Sequence, residues 1–326
     1  MEKLFSQRPL GKSNLMVSPI GLGCWQFSKR KGMGGKFWSG LGDNEIKDIV
    51  KVSLEGGINW FDTAEAYGWG ESEKALTGSL KILGKSSDKI IIATKWWPMF
   101  RTATSITRTI DKRIAALNNY RIDLYQIHQS FSFSSIKTEM KEMAKLVNDH
   151  KICFIGVSNF PSEKMKIAND ELARYGLHLT SNQVKYSLLY RKIETNGILS
   201  TAKKLGISII AYSPLAQGIL TGKFHDNPEL IKDRPGFRKY MNSFKQKGLD
   251  KSLPIIKVLK ELAEKYKVTP SQIALNWLIS FHGDLIVAIP GATKMSQAKD
   301  NAASMKFKLT KNELDYLDKI SAPFKS

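Results

Sequence analysis

Eight short apolar runs, separated by longer amphipathic segments, constrain this sequence more than any other feature. They occupy residues 19–23, 58–61, 90–93, 122–127, 152–157, 182–184, 207–211 and 285–289. Most are rich in Ile and Val and are bounded by glycine or polar residues, as strands buried on both faces are. Apolar residues recur at helical spacing over 44–54, 72–83, 105–119, 136–147, 162–175, 194–205, 253–266 and 271–281. Strands and helices alternating in this number and order specify an α/β fold, a (β/α)8 TIM barrel. Helix ends carry their own signals. Thr269-Pro270-Ser271-Gln272 combines an N-cap, a proline in the first helical position and a capping-box partner, and Thr310 with Glu313 opens a last, C-terminal helix to Ile320. Gly56-Gly57, Gly176 and Gly206 stand where helices must stop before the next strand.

Two stretches fall outside this rhythm. Residues 4–6 and 15–18 flank Pro9-Leu10-Gly11-Lys12 and read as an N-terminal β-hairpin plugging the barrel. Residues 214–250 mix glycine, proline and charge with little periodicity and read as one long loop, of the length that lids have. No linker or repeat interrupts the pattern, so residues 1–326 read as a single domain.

The chain carries 50 Lys+Arg against 30 Asp+Glu, a formal net charge of +20, which attracts polyanions without specifying which. Residues 232–251 alone hold seven basic against two acidic residues. Cys24 and Cys153 are too few and too far apart for a zinc motif or a redox pair, so no metal site is expected and both thiols are expected reduced. There is no apolar leader and no run near the ~20 residues that span a bilayer, so the expectation is a cytoplasmic protein with no membrane partner.

In such a barrel the chemistry sits at the C-terminal ends of the strands. Those positions hold Asp62, Lys95, His128, Ser158-Asn159, Tyr186 just beyond Gln183, and Tyr212-Ser213. Tyr67 follows Asp62 by five residues. A lysine beside a phenol lowers a pKa that starts near 10, and an aspartate paired with that lysine holds it charged and in place. Asp, Lys and Tyr together make a tunable proton donor, and His128 is suited to orienting a carbonyl oxygen. No strand leads into a complete GxGxxG: Gly32-Met33-Gly34-Gly35-Lys36-Phe37 and Gly68-Trp69-Gly70-Glu71-Ser72-Glu73 both lack the last glycine. The barrel's own anion site, formed by the loops after strands seven and eight, falls on residues 213–218 and 289–294, with Lys223 and Lys294 adding charge and Tyr212 a flat face.

At this point the sequence resembles the aldo-keto reductase superfamily. The resemblance rests on Gly57-Ile58-Asn59-Trp60-Phe61-Asp62-Thr63-Ala64-Glu65-Ala66-Tyr67-Gly68, Ala93-Thr94-Lys95 and Asp123-Leu124-Tyr125-Gln126-Ile127-His128. It continues through Ile155-Gly156-Val157-Ser158-Asn159-Phe160, Tyr212-Ser213-Pro214-Leu215-Ala216-Gln217-Gly218 and Ile289-Pro290-Gly291-Ala292-Thr293-Lys294. It implies NADPH-dependent reduction of an aldehyde or ketone, with Tyr67 as general acid/base, Lys95 and Asp62 tuning it and His128 orienting the carbonyl. By the same resemblance Ser158, Asn159 and Gln183 hold the nicotinamide carboxamide and Tyr212 stacks on its ring. Ser213, Leu215 and Gly218 lie along the pyrophosphate; Gly291, Thr293, Gln297 and Asn301 meet the adenosine. Gln297 replaces an arginine of many members, which leaves the 2′-phosphate to Lys294 and leaves NADH open as the cofactor.

The insertion 29–42, with Phe37 and Trp38, is expected to line an apolar substrate mouth together with Trp25, Trp69, Trp96 and Trp97. The partner is then a small aldehyde or ketone, with no specific nucleic acid; oligomeric state is not readable. The basic run is expected to steer a polyanionic dinucleotide. Two other readings remain: a cofactor-binding regulatory module resembling potassium channel β subunits, against which His128 argues, and a barrel glycosidase using Asp62 and Glu65.

Overall fold

The computed structural model describes residues 6–32, 37 and 40–326. Eight parallel strands form the barrel: β3 (Leu22–Gly23), β4 (Trp60–Asp62), β5 (Ile91–Trp96), β6 (Leu124–Ile127), β7 (Phe154–Ser158), β8 (Leu179–Lys185), β9 (Ser208–Tyr212) and β10 (Ile286–Ala288). Each pairs with its successor, in sequence order around the sheet. Bridges between Ile20 and Ala288 and between Gly23 and Gly291 join the first strand to the last and close the ring. Every expected strand is present.

Ahead of the barrel, β1 (Arg8–Pro9) pairs antiparallel with β2 (Met16–Val17). The first arm of the plug is therefore Arg8–Pro9 and not residues 4–6, of which residues 4 and 5 lie outside the described chain. The hairpin drives Leu10, Leu15 and Val17 against Trp60, Ala93, Leu124, Ile210 and Val287. Removing this apolar surface from water, at about 25 cal/mol per Å², makes the barrel bottom a packed core. Gly21 admits it: a Cβ there would lie 2.3 Å from the Trp60 ring. Arg8 pins the hairpin, its Nη1 donating to the carbonyls of Ile279, Gly283 and Ile286.

The outer layer consists of α1 (Asp43–Glu55), α2 (Glu71–Ile82), α3 (Thr104–Ala116), α4 (Ile136–Asn148), α5 (Ser162–Ala173), α6 (Ile198–Leu205), α7 (Lys223–Asp226), α8 (Gln246–Tyr266), α9 (Pro270–Ser280), α10 (Met295–Ala303) and α11 (Lys311–Ile320). Both expected capping boxes, at Thr269 and Thr310, are formed. Helix α10 escapes the periodicity because only Ala298, Asn301 and Ala302 are buried on it.

Residues 214–250 are not a featureless loop. Short 3-10 turns at Ala216–Thr221, Pro228–Ile231, Gly236–Tyr240 and Asn242–Phe244 surround α7, and α8 already starts at Gln246. Pro254 lies inside α8 and argues locally for a later start. Burial of Leu249 with Ile219, Phe224 and Phe244 favours the extra turns.

Candidate active site

The interior of the barrel at its C-terminal end is set by strand periodicity: alternate residues face inward. Lys95 on β5 and Asp62 on β4 both do so and are fully buried. Lys95 Nζ donates to Asp62 Oδ1 at 2.5 Å, to the Thr63 carbonyl at 2.8 Å and to the Tyr67 hydroxyl at 3.4 Å. All three ammonium donors are used. Burial works against the Lys95 charge, but Asp62 and Tyr67 outweigh it and raise its pKa above the usual lysine value. Burial raises the Tyr67 phenol above its usual value despite the downward pull of Lys95, so Tyr67 holds its proton at neutral pH.

The turn after β4 brings Tyr67 over this pair. Gly68, at φ +74, has its Cα against Ser28, and a Cβ would lie 2.6 Å from the Ser28 carbonyl. His128 follows β6 with its ring edge-on to Tyr67 (5.6 Å between centroids) and to Trp97 (5.1 Å). Burial, then Lys95, holds its imidazole well below the usual histidine range, so the ring is neutral. Its Nδ1 is enclosed without a hydrogen-bond partner, which leaves Nε2 toward the cleft.

A cleft of about 1070 Å³ opens above this group and runs across the barrel mouth. Asp62, Tyr67 and His128 line it, and Lys95 sits beneath its floor. Ser158, Asn159, Gln183 and Tyr212 form the middle, tied together by Ser158 Oγ to the Gln183 carbonyl (2.9 Å), Asn159 Nδ2 to Ser158 Oγ (3.1 Å) and Tyr212 Oη to Asn159 Oδ1 (3.1 Å). Beyond them Ser213, Leu215, Gly218 and Lys223 line one wall, and Gly291, Thr293, Lys294, Gln297 and Asn301 the other. Ser213, Ala216, Gln217 and Gly218 all have positive φ. For the three non-glycine residues this conformation costs energy, and the N–H groups of Ala216 and Gly218 close the turn on the Ser213 and Leu215 carbonyls. Gln297 Oε1 accepts from the Thr293 backbone N–H at 2.7 Å, just ahead of α10, which leaves its amide nitrogen for the cleft.

Two further cations, Arg234 and Arg238, line this arm and come from the basic run. Burial lowers both to about 10, with Arg234 adding to the shift of Arg238. Burial and then Arg234, Lys294 and Arg238 lower Lys223. Arg234 packs its guanidinium on Phe224 and Phe244 and donates to the Gln217 carbonyl at 2.9 Å, while its Nε is buried without a partner. The rest of the basic run lies elsewhere: Lys232 pairs with Glu229, and Lys251 covers Phe324. Sequence reasoning singles out neither arginine, because their burial depends on how the 3-10 turns fold back. It also passes over Gln126, buried beneath the cleft two residues before His128, although the shared strand face is readable.

The tryptophans divide. Trp25 and Trp97 line the cleft, with Trp25 stacked on Tyr67 at 6.0 Å and tilted against Phe37 at 5.5 Å. Trp96 does not. It is fully buried in the outer core with its Nε1 on Ser105 Oγ, because the residue after an inward-facing Lys95 must face the helices. Trp69 is exposed and off the cleft, and Trp38 lies outside the described residues. Glu65 also turns away, accepting from the Trp97 backbone N–H at 3.1 Å and from Arg101 at 2.9 Å. With Asp62 paired to Lys95, Asp62 and Glu65 do not form the carboxylate couple of a glycosidase. Among the described residues no cluster of metal-ligating side chains occurs, and no helix is long and apolar enough to cross a membrane.

Known proteins resemble this chain in sequence and in fold. An uncharacterized oxidoreductase of Mycobacterium tuberculosis is 34% identical over 311 residues, spanning 95% of this chain and 91% of its own. The chloroplastic pyridoxal reductase of Arabidopsis thaliana is 31% identical over 323 residues, 94% of this chain and 85% of its own. The structure of a glycerol dehydrogenase from Gluconobacter oxydans superposes with a TM-score of 0.84 at 28% identity, over 99% of this chain and 97% of that one. The model of the aldo/keto reductase family matches residues 19–322, the whole of the barrel, and the protein belongs to that family of oxidoreductases.

Proposed function

We propose that the protein is an NADPH-dependent reductase of neutral, flat, largely apolar aldehydes or ketones, with Tyr67 as its general acid/base. The observation that carries this reading is the enclosed Lys95, bridging Asp62 and Tyr67 under one end of a cleft whose other end is cationic. The cleft suits a dinucleotide. Its volume is at the top of the ordinary range for small-molecule sites, and among the described residues Lys223, Arg234 and Lys294 pair with no carboxylate. The buried, unpartnered Arg234 Nε and Gln217 Oε1 sit in the same arm.

The cofactor supplies a hydride when bound. Ser158, Asn159 and Gln183 would hold its carboxamide and Tyr212 its ring face. Ser213, Leu215, Gly218 and Lys223 would follow the pyrophosphate, with Gly291, Thr293, Lys294, Gln297 and Asn301 at the adenosine. Lys294 and the two arginines favour the extra phosphate of NADPH over NADH.

Tyr67 keeps its proton at rest and gives it to the carbonyl oxygen as charge develops there; Lys95 stabilises the phenolate left behind. Asp62 keeps Lys95 protonated and fixed. Neutral His128 donates from Nε2 to the same oxygen and so orients it. Trp25, Phe37 and Trp97 exclude water and favour a flat partner. The cleft's described cations all belong to the other arm, which disfavours a charged acid as substrate.

The test is a panel of para-nitrobenzaldehyde, pyridoxal and glyceraldehyde with NADPH and NADH in parallel. The expected result is oxidation of NADPH, faster than of NADH, with the aromatic aldehydes leading. Tight NADPH binding without turnover on any carbonyl would instead mark a regulatory module.

A further inference from the structure

Beneath the cleft, one residue joins the side chains assigned to cofactor recognition and to proton transfer. Gln126 lies on the inward face of β6, beside Lys95 in register and fully buried. Its Nε2 donates to Asp62 Oδ2 at 3.1 Å. Its Oε1 accepts from Gln183 Nε2 at 3.3 Å, and the same Gln183 nitrogen donates to Asp62 Oδ2 at 2.8 Å. The three groups close a triangle whose free corner is Gln183 Oε1.

The chemistry of the donors fixes which way each amide points. A flipped Gln183 would set its oxygen against two acceptors, Asp62 Oδ2 and Gln126 Oε1, with no donor facing it. Gln183 is thus locked with its nitrogen down, and as a residue of the cleft wall it presents an acceptor upward. Space for the lock is reserved across the sheet. Gly156 pairs in register with Gln126, and a Cβ at Gly156 would lie 2.9 Å from Gln126 Cγ and 2.6 Å from Ser181 Oγ.

We propose that Gln126 is a positioning residue that orients the Gln183 amide to accept an N–H from the cofactor's carboxamide and ties that amide to Asp62. The proposal rests on the functional reading above and adds a residue to it. Gln126 meets neither substrate nor cofactor. Through Asp62 and Lys95, the orientation of the cofactor site and the charge beneath Tyr67 are set by one hydrogen-bonded unit.

The experiment compares binding of NADP+ and of its acetylpyridine analogue, whose methyl ketone lacks the amide N–H, by quenching of tryptophan fluorescence. Wild-type protein is expected to prefer NADP+ by about tenfold, the order of one well-made hydrogen bond. In Q126L the preference should shrink to about threefold, because the Gln183 nitrogen is then held by Asp62 alone. Q126E keeps an oxygen for Gln183 Nε2 and, held protonated against the buried Asp62 carboxylate, donates to Asp62 Oδ2 in place of the amide, so it should retain most of the preference. Gly156→Ala, which presses on Gln126 without removing it, should also shrink the preference and serves where Q126L fails to fold. Equal weakening of both ligands by Q126L, with the ratio unchanged, overturns the role of Gln126 and leaves the functional reading standing. Wild-type protein that binds neither ligand overturns both.

Discussion

The floor of the cleft and its basic arm handle charge in opposite ways. On the floor, Lys95 is fully enclosed, yet Asp62, a carbonyl and a phenol surround its ammonium, and its pKa is raised. That charge is satisfied by the protein itself. In the arm, burial holds Arg234 and Arg238 at about 10, and burial and neighbouring cations lower Lys223. On the proposed reading, that charge is met by a bound anion. On that reading buried cations have two uses in one molecule: a preorganised acid–base group, whose loss should damage folding and turnover together, and a binding site, whose loss should damage binding alone.

Lys95→Met is the strongest attempt to break this contrast. It leaves Asp62 buried with its main partner gone, a change that costs about 3–5 kcal/mol, and turnover should fall by about 10²–10⁴-fold. Urea unfolding and steady-state rates read the two effects. Normal stability in this variant would mean that the floor does not depend on its internal pairing.

Arg234→Met is the counterpart in the arm. The methionine keeps apolar contact with Phe224 and Phe244 and removes the charge. NADPH affinity should drop by about tenfold, of the order expected for a charge-assisted contact, and the melting shift caused by NADPH should shrink. The melting temperature of the free protein should stay the same or rise. A free protein destabilised as much as Lys95→Met would erase the distinction between the two regions. Salt sharpens the same point: wild-type affinity for NADPH should fall as ionic strength rises, and less steeply in the variant.

The smallest effect lies behind the floor. Glu73 is fully buried, bonded to Thr94 Oγ1 and Arg113 at 2.6 Å each. Burial pushes it up from 4.5 to about 7 against the pull of Arg113. The native protein then holds a proton that the unfolded chain releases. This contribution to stability is complete below pH 4.5 and is lost as pH rises through about 7. Glu139, also near 7 through burial, adds a contribution of the same sign. Denaturation midpoints across that window should decline, and E73Q should flatten part of the slope.

Much of this is legible in the amino-acid sequence. Strand period and helix period are local properties, so the eight strands, most helices and both capping boxes can be read from neighbours along the chain. Asp62, Lys95 and His128 can be found because a barrel places chemistry at strand ends. What stays hidden depends on facing direction or on distant contacts. Trp96 follows Lys95, and the alternation of a strand, strictly applied, sends it to the core rather than the substrate mouth. Arg234 and Arg238 look like part of a solvated basic run, since only the folding of 3-10 turns over α8 puts them on the cleft. The start of α8 is masked by Pro254, whose local signal tertiary burial overrides. Gln297 lines the cleft as expected of a residue at the adenosine, but the uptake of its oxygen by the Thr293 backbone N–H is not readable from the sequence.

On the proposed mechanism Tyr67 is the proton donor of a carbonyl reduction, and the basic arm only holds the cofactor. The most direct test is Tyr67→Phe, assayed for NADPH oxidation with para-nitrobenzaldehyde alongside fluorescence titration of NADPH. Turnover should fall by about 10²–10⁴-fold, with NADPH affinity within about twofold of wild type. Turnover retained within about tenfold of wild type, with NADPH still bound, would contradict that mechanism.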